Sequence, residues 1–470
     1  MKKLGKGSLL AQLRDFGIGP IVGMCISLIT VPITTRILAP TEFAKTSMYS
    51  LCQTIFYLIC LLGFDQSFVR FYNEDKTNKT SLFINCALFP VLFCLSTMIV
   101  VGFFWKPVSF FLFGQEELFI ILCIIISLPF SVIARFSDLK IRMDMRGKTF
   151  SFLSVFQQIL NFILLILFLL FYEKSFRAII ISSFISTIVY CSLSLLLSRI
   201  FVEHETISIS WDSITQFFKY GFPLVFASVL TWVMNSFDKV AIRTWSSFEE
   251  LGLYSASFKI VSLVTIIQNI FTTAWTPVAY KWYEDKETKD RFFTVSNAML
   301  GIMLVIFSLI IVFRNILLLY LGREYRNTAE IFVFLLFSPI MYTVCTTTSL
   351  GIEFKKKSIY ATIITIIVAV INLCGNYYFV PKYGALGASI TTAVSYLVFL
   401  WLRTIVSNKL WEKYSLNKIL IMSIIMILFG INMITKKSIV IELVLLCFSF
   451  TFSIIINRNL IKTVFSKGEK

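Results

Sequence analysis

Six bases and two acids stand where an apolar chain should carry no charge. Arg36, Lys45, Arg70, Lys239, Arg243 and Lys259, with Asp65 and Asp238, lie within or at the edges of long apolar runs. A charged side chain at the bilayer centre costs about 2.5–3.5 kcal/mol on insertion scales, so such groups pair, meet water or serve transport. Asp65 and Arg70 close the stretch Gly63-Phe64-Asp65-Gln66-Ser67-Phe68-Val69-Arg70-Phe71-Tyr72. Lys239 and Arg243 are four apart and share a helix face. Lys259 lies ten residues into its run, about 15 Å along a helix axis. From that depth its ammonium faces water more naturally than it snorkels.

Polar stripes accompany these charges. Ser228, Thr231, Asn235 and Asp238 recur at helical spacing in one run, and Ser255, Lys259, Ser262, Asn269 and Thr273 in the next, with Ile266 as an apolar break. The first two runs offer Ser27, Thr30 and Thr34, then Thr46, Ser50, Gln53, Tyr57 and Cys60. Such stripes either glue helices together by hydrogen bonds or line water. Lys259 favours a hydrated cavity. Asp65 and Asp238 are the acids that would gate it or carry a coupling proton or sodium ion; a structural pair with a base on a neighbouring helix is the alternative for Asp65.

The elements that must position these groups are membrane helices. Hydrophobic residues make up 57% of the chain and charged residues 15%, with mean hydropathy +0.83, against about 25% charged in soluble domains. Apolar runs of helical span length recur throughout, predicting an all-α polytopic membrane protein. Fourteen spans are expected, near 15–36, 43–70, 82–104, 117–137, 149–171, 177–199, 216–242, 249–280, 292–313, 328–351, 359–380, 386–405, 418–434 and 439–457. No cleavable signal is apparent, because the first apolar run is long and lacks a small-residue cleavage pattern. The ten cysteines are scattered in apolar runs without a C-x-x-C pair, so neither metal, disulfide nor other cofactor is expected.

Lysine and arginine orient the chain. Segments on the side of the N-terminus carry 29 of the 43 basic residues and the opposite side 13, Lys259 lying inside a span. Both termini are therefore expected in the cytoplasm. The net charge of +17 follows from this topology and from contact with anionic membrane lipid. No soluble basic domain exists to bind nucleic acid.

A weak internal repeat divides the chain. Phe16-Gly17-Ile18-Gly19-Pro20 resembles Tyr220-Gly221-Phe222-Pro223, and Glu42-Phe43-Ala44-Lys45 resembles Glu250-Leu251-Gly252-Leu253. Parallel repeats of six helices are a transporter arrangement. The expected organisation is a lobe over 1–200, a cytoplasmic connection over 201–215, a second lobe over 216–405 about a central cavity, and a helix pair with a tail over 406–470.

The ending Gly63–Tyr72 resembles that of the second helix in the Wzx-type polysaccharide and O-antigen flippases, members of the superfamily that also holds the multidrug and toxin extrusion proteins and the lipid II flippase. Arg36-Ile37-Leu38-Ala39-Pro40-Thr41-Glu42-Phe43 resembles that family's first periplasmic turn, with Ala44 where glycine is usual. Pro381-Lys382-Tyr383-Gly384-Ala385-Leu386-Gly387 resembles its hairpin between helices eleven and twelve, and Asn372 and Asn376 fit before it. The resemblance implies transport of an undecaprenyl-diphosphate-linked sugar repeat unit from the cytoplasmic to the periplasmic leaflet, with association with polysaccharide polymerase machinery. A diphosphate and glycan need a wet cationic groove, for which arginine's forked donors and lysine's point charge are suited. Two other readings remain. A membrane polymerase or acyltransferase would need an intramembrane histidine or a large catalytic loop, and the one histidine, His204, lies in the connection. A small-molecule exporter of the same superfamily would find a cationic cavity repellent to its usual cargo.

Overall fold

The computed structural model describes residues 6–73, 78–200, 208–435, 438–458 and 460. The residues expected to form most of the connection (201–207, with His204) and the tail (461–470) lie outside them. The described residues form helices in the order α1 (Lys6–Ile37), α2 (Pro40–Cys60), α3 (Phe64–Phe71), α4 (Lys79–Phe103), α5 (Trp105–Phe113), α6 (Leu118–Met143), α7 (Gly147–Phe171), α8 (Phe176–Ser198), α9 (Trp211–Trp245), α10 (Phe248–Glu284), α11 (Lys289–Val312) and α12 (Arg314–Leu319). A 3-10 turn, Arg323–Thr328, precedes α13 (Ala329–Leu335), α14 (Phe337–Thr348), α15 (Leu350–Phe354), α16 (Ser358–Leu410), α17 (Leu416–Thr435) and α18 (Ile439–Ile456). The all-helical membrane fold is thus as expected.

Among the described residues, 11 helices are long and apolar enough to cross a membrane, or 12 if α2 and α3 form one bent span. The expected fourteen are recovered from two further features. In α1 the apolar part is shorter, Ile21–Ile37. The 53 residues of α16 are two helices joined across a kink at Gly384 (φ 54°, ψ −130°), three residues after Pro381. Proline removes a backbone donor and glycine tolerates the left-handed region, so this pair turns the chain there.

Local chemistry sets the ends. Pro40 opens α2 in the first turn, where its missing N–H is no loss. Asn78, Ser175, Ser247 and Ser438 accept from backbone N–H groups in the first turns of α4, α8, α10 and α18. Between α2 and α3, Leu62 and Gly63 take positive φ, and the helices bend by 53°. Gly63 packs backbone to backbone on Gly221 of α9: a Cβ on Gly63 would lie 2.1 Å from the Gly221 carbonyl oxygen. One turn on, Ser67 Oγ donates to the Phe217 carbonyl at 2.7 Å. Around this joint Phe64, Phe68, Tyr72, Phe83 and Phe136 form an aromatic core.

By packing, the chain separates into two compact units, Met1–Ser236 and Phe237–Lys470. The division falls inside α9, whereas the repeat placed it at 201–215. The reason is the joint just described, which holds the first part of α9 to α3.

Within each unit the same glutamate device appears. Glu42, in the first turn of α2, accepts from the Phe176 N–H that opens α8, at 2.9 Å. Glu250, in the first turn of α10, accepts from the Ala385 N–H just past the α16 kink, at 2.8 Å. The weak sequence repeat therefore marks a shared contact: a carboxylate neutralising the N-terminus of its repeat's sixth span.

On the basic side of the first unit, Asp144, after α6, accepts from Tyr72 Oη at 2.5 Å, Lys79 at 3.1 Å and Lys140 at 3.2 Å. Lys140, fully buried, and Arg146 also donate to the last carbonyls of α8, Ser198 and Leu197. Cations there complement the helix dipole. Burial would raise the Asp144 carboxyl, but Tyr72, Lys79 and Lys140 outweigh it and hold it below its ordinary range.

Candidate functional site

The second unit holds the deeper charges. Asp238, on α9, is buried and its carboxylate is fully used. Oδ2 accepts from Tyr254 Oη of α10 at 2.7 Å and from Thr392 Oγ1 of α16 at 2.5 Å. Oδ1 accepts from Asn376 Nδ2 at 2.7 Å. Asn376 Nδ2 also donates to the Asn372 carbonyl and side chain, while Asn376 Oδ1 is buried without a partner. Asn372 and Asn376 are four apart on one face of α16. The result is an oxygen-rich, acidic cluster inside the membrane region.

Lys239 is within electrostatic range of Lys259, which repels it, and of its chain neighbour Asp238, which attracts it. Lys239 rests on the Phe258 ring at 5.3 Å, and Lys259 is exposed. Among the described residues, neither ammonium is in an ion pair. Lys259 stands about 16 Å along α10 from its start. On the same helix Asn269 and Thr273 are exposed; Ser262 is partly so and donates to the Lys259 carbonyl at 2.6 Å. Ser255, expected in this stripe, is buried. Arg243 lies over the Phe248 ring at 4.2 Å.

In the first unit the acid and base singled out in the sequence do not meet. Five residues along a helix is a turn of about 140° beyond full circle, and Arg70 is exposed while Asp65 is buried. The partner of Asp65 is Arg135 of α6, whose Nη2 donates to Oδ2 at 3.0 Å. One turn further along α6, Asp138 accepts from Tyr190 Oη of α8, at 2.8 Å on each oxygen. In the sequence Arg135 stands beyond most of its apolar run, among the bases Lys140, Arg142, Arg146 and Lys148 that follow it. In fact α6 runs on to Met143, which puts Arg135 about 12 Å inside its end. The signal that could have found it is the R-x-x-D spacing, which places Arg135 and Asp138 on one helix face.

A cavity of about 300 Å³ opens beside this pair, lined by Thr54 and Tyr57 of α2, Gly63, Asp65 and Gln66 at the bend, Arg135, and Leu224, Val225 and Ser228 of α9. Of the expected lining, Tyr57 and Ser228 belong to it. Gln53 instead bonds Ser127 of α6 at 2.9 Å. Thr30 and Thr34 donate to their own helix, to the carbonyls of Ile26 and Thr30; Ser27, Thr231 and Asn235 are exposed. Lys45 pairs with Glu42 at 2.7 Å and lies over Phe176, so its charge is taken by the carboxylate that caps the α8 N-terminus. Arg36 is exposed at the end of α1.

Comparison with known proteins agrees with this architecture. Residues 17–283 match the family model described as polysaccharide biosynthesis protein. A probable low-salt glycan biosynthesis flippase, Agl15, from Haloferax volcanii is 20% identical over 193 residues, 40% of this chain and 41% of that relative, so the match spans about two-fifths of its length. The fold is similar to that of the lipid II flippase MurJ in an inward closed conformation, with TM-score 0.73 and 15% identity over 95% of this chain and 99% of that one. It is also similar to an inward-facing multidrug resistance MATE family transporter of the MOP superfamily, with TM-score 0.64 and 14% identity over 85% of this chain and 94% of that one. With more than half of its length matched by the family model, this chain belongs to the polysaccharide biosynthesis protein family.

Proposed function

We propose that this protein flips undecaprenyl-diphosphate-linked oligosaccharide repeat units from the cytoplasmic to the outer leaflet by alternating access, for O-antigen or another surface polysaccharide. The observation that carries the reading is the pair Lys239 and Lys259, two like charges at membrane depth in no ion pair among the described residues. Asp238 offsets part of the Lys239 charge, yet two such cations remain costly to hold at rest. They make sense where an anionic cargo arrives. The exposed polar face of α10, with Asn269 and Thr273, suits a wet path for the headgroup, while the lipid tail stays in the bilayer. Family membership and the glycan-flippase relative support the same cargo class. A multidrug resistance transporter has a similar fold, but a cationic drug would be repelled by these lysines.

Asp238 is the group proposed to couple transport to a proton or cation, because it is a buried carboxylate held by three neutral donors, Tyr254, Asn376 and Thr392, and by no direct ion pair among the described residues. Both termini are proposed to face the cytoplasm of the inner membrane, from the basic bias, and association with polymerase machinery follows from the proposed cargo. The test is gene deletion with assay of surface polymer and lipid-linked intermediates. Loss of polymer, with repeat units stranded on the cytoplasmic leaflet, is expected, and normal polymer in a strain with a single such gene would sink the proposal. Lys259→Ala should reduce export while the protein remains in the membrane at wild-type level; full export would remove Lys259 from the site.

A further inference from the structure

The cavity beside Asp65 is lined wholly by residues of the first unit. Its volume of about 300 Å³ is at the small end of ligand pockets and has room for about ten waters at ~30 Å³ each. Its charged lining is one acid and one base. The base is only half used. Arg135 gives Nη2 to Asp65 at 3.0 Å, while its Nε is buried without a partner. Asp138, the next acid along α6, is occupied on both oxygens by Tyr190.

A structural ion pair in this same unit looks different. Arg177 grips Glu117 with both Nε and Nη2, at 3.1 and 2.5 Å to one oxygen. Arginine's planar fork matches a carboxylate or a phosphate through two adjacent donors. At Arg135 the match to Asp65 uses a single donor, and although the side chain is only half-buried, its buried Nε–H is costly to leave unpaired unless something else takes it. Asp65 is also a poor permanent partner: it sits at the bend after Gly63 and shares Oδ2 with the Gln66 amide at 3.1 Å.

We propose that Arg135 binds one phosphate group of a lipid-borne diphosphate in this cavity, with Asp65 as the counter-ion it releases when the anion arrives. Tyr57, Gln66 and Ser228 supply further polar contacts around the group. The inference rests on the flippase reading for its cargo, and it adds a binding residue in the first unit to the lysines of the second.

The test uses the full-length protein in nanodiscs of neutral phosphatidylcholine, with farnesyl diphosphate as probe and farnesol and inorganic pyrophosphate as comparison ligands. Arg135→Gln should weaken farnesyl diphosphate by about tenfold to a hundredfold, the usual span for a hydrogen bond to a charged group, and Arg135→Lys should weaken it less. Asp65→Asn should tighten binding, since it removes the competing carboxylate; a merely structural pair would give no tightening. Should Arg135→Gln fail to fold, the double variant D65N/R135Q removes both charges and carries the same expectation of lost binding. Wild-type affinity in folded R135Q or D65N/R135Q overturns the proposal, as does binding no tighter in D65N. Equal affinity for inorganic pyrophosphate overturns the assignment to a lipid-borne group. A deletion strain that keeps its polymer sinks the flippase reading itself, whereas one that loses polymer and is fully rescued by R135Q overturns only the role of Arg135.

Discussion

Replacing Asp238 by alanine or by asparagine separates what its carboxylate holds together from what it carries. In Asp238→Ala the donors Tyr254 Oη, Thr392 Oγ1 and Asn376 Nδ2 lose their acceptor at a buried site. Each orphaned group costs about 1–3 kcal/mol, though measured couplings inside membranes run lower, near 0.6 kcal/mol. Three such losses come to about 2–9 kcal/mol, and the lower half of that range is the realistic one because water can enter the space left. At about 2–4 °C per kcal/mol for a unit of this size, the unfolding temperature of the purified protein should fall by about 6–12 °C for a loss near 3 kcal/mol. Asp238→Asn should cost far less. Its amide oxygen still accepts from Tyr254 and Thr392, and Asn376 can turn its unpartnered Oδ1 toward the new N–H. The assay is thermal unfolding followed by tryptophan fluorescence, with polysaccharide export measured in parallel. The combination expected is a large thermal loss in Asp238→Ala, near-wild-type stability in Asp238→Asn, and impaired export in both. Equal unfolding temperatures for Asp238→Ala and wild type would refute the reasoning from the network. Full export by Asp238→Asn would refute the coupling role.

Gly63→Ala should abolish correct folding, since φ is +77° and the added Cβ would meet the Gly221 carbonyl at 2.1 Å; a monodisperse, wild-type elution profile would contradict this. Glu42→Gln and Glu250→Gln should each lower stability by about 1 kcal/mol through loss of charge at a helix N-terminus, and the double variant should be additive within about 0.5 kcal/mol, as for separate sites. Asp144 contributes stability because its folded carboxyl is held below the ordinary range despite burial, by Tyr72, Lys79 and Lys140. That contribution is whole above the unfolded value near 4 and is lost as pH falls through the lower folded value. Asp144→Asn should therefore melt below wild type at pH 7, and the gap should narrow below about pH 4; a gap that widens in acid would reverse the sign of the argument.

The resemblance of Glu42-Phe43-Ala44 to Glu250-Leu251-Gly252 became intelligible only in three dimensions. In sequence it was a faint repeat. In the structure each glutamate reaches a backbone N–H far along the chain, Phe176 or Ala385. Lys45 illustrates the opposite outcome: its type and position were those of a substrate contact, yet its neighbour one turn back, Glu42, takes its charge.

What the sequence determined by itself is the membrane solvent and its consequences. Apolar runs of span length, a basic bias on alternate segments and proline–glycine punctuation at Pro381 and Gly384 act locally, so they can be read locally, and they yielded the helices, the repeat and the polar stripes with Lys259 and Asp238. Tertiary structure alone decided which charges have partners. Asp65 finds Arg135, 70 residues away in the chain, rather than Arg70; Asp238 finds Asn376 and Thr392, 138 and 154 residues away. A hydrogen bond is made across space and not along the chain, and the same aspartate is a buried hub or a solvated end depending on which helix packs against it.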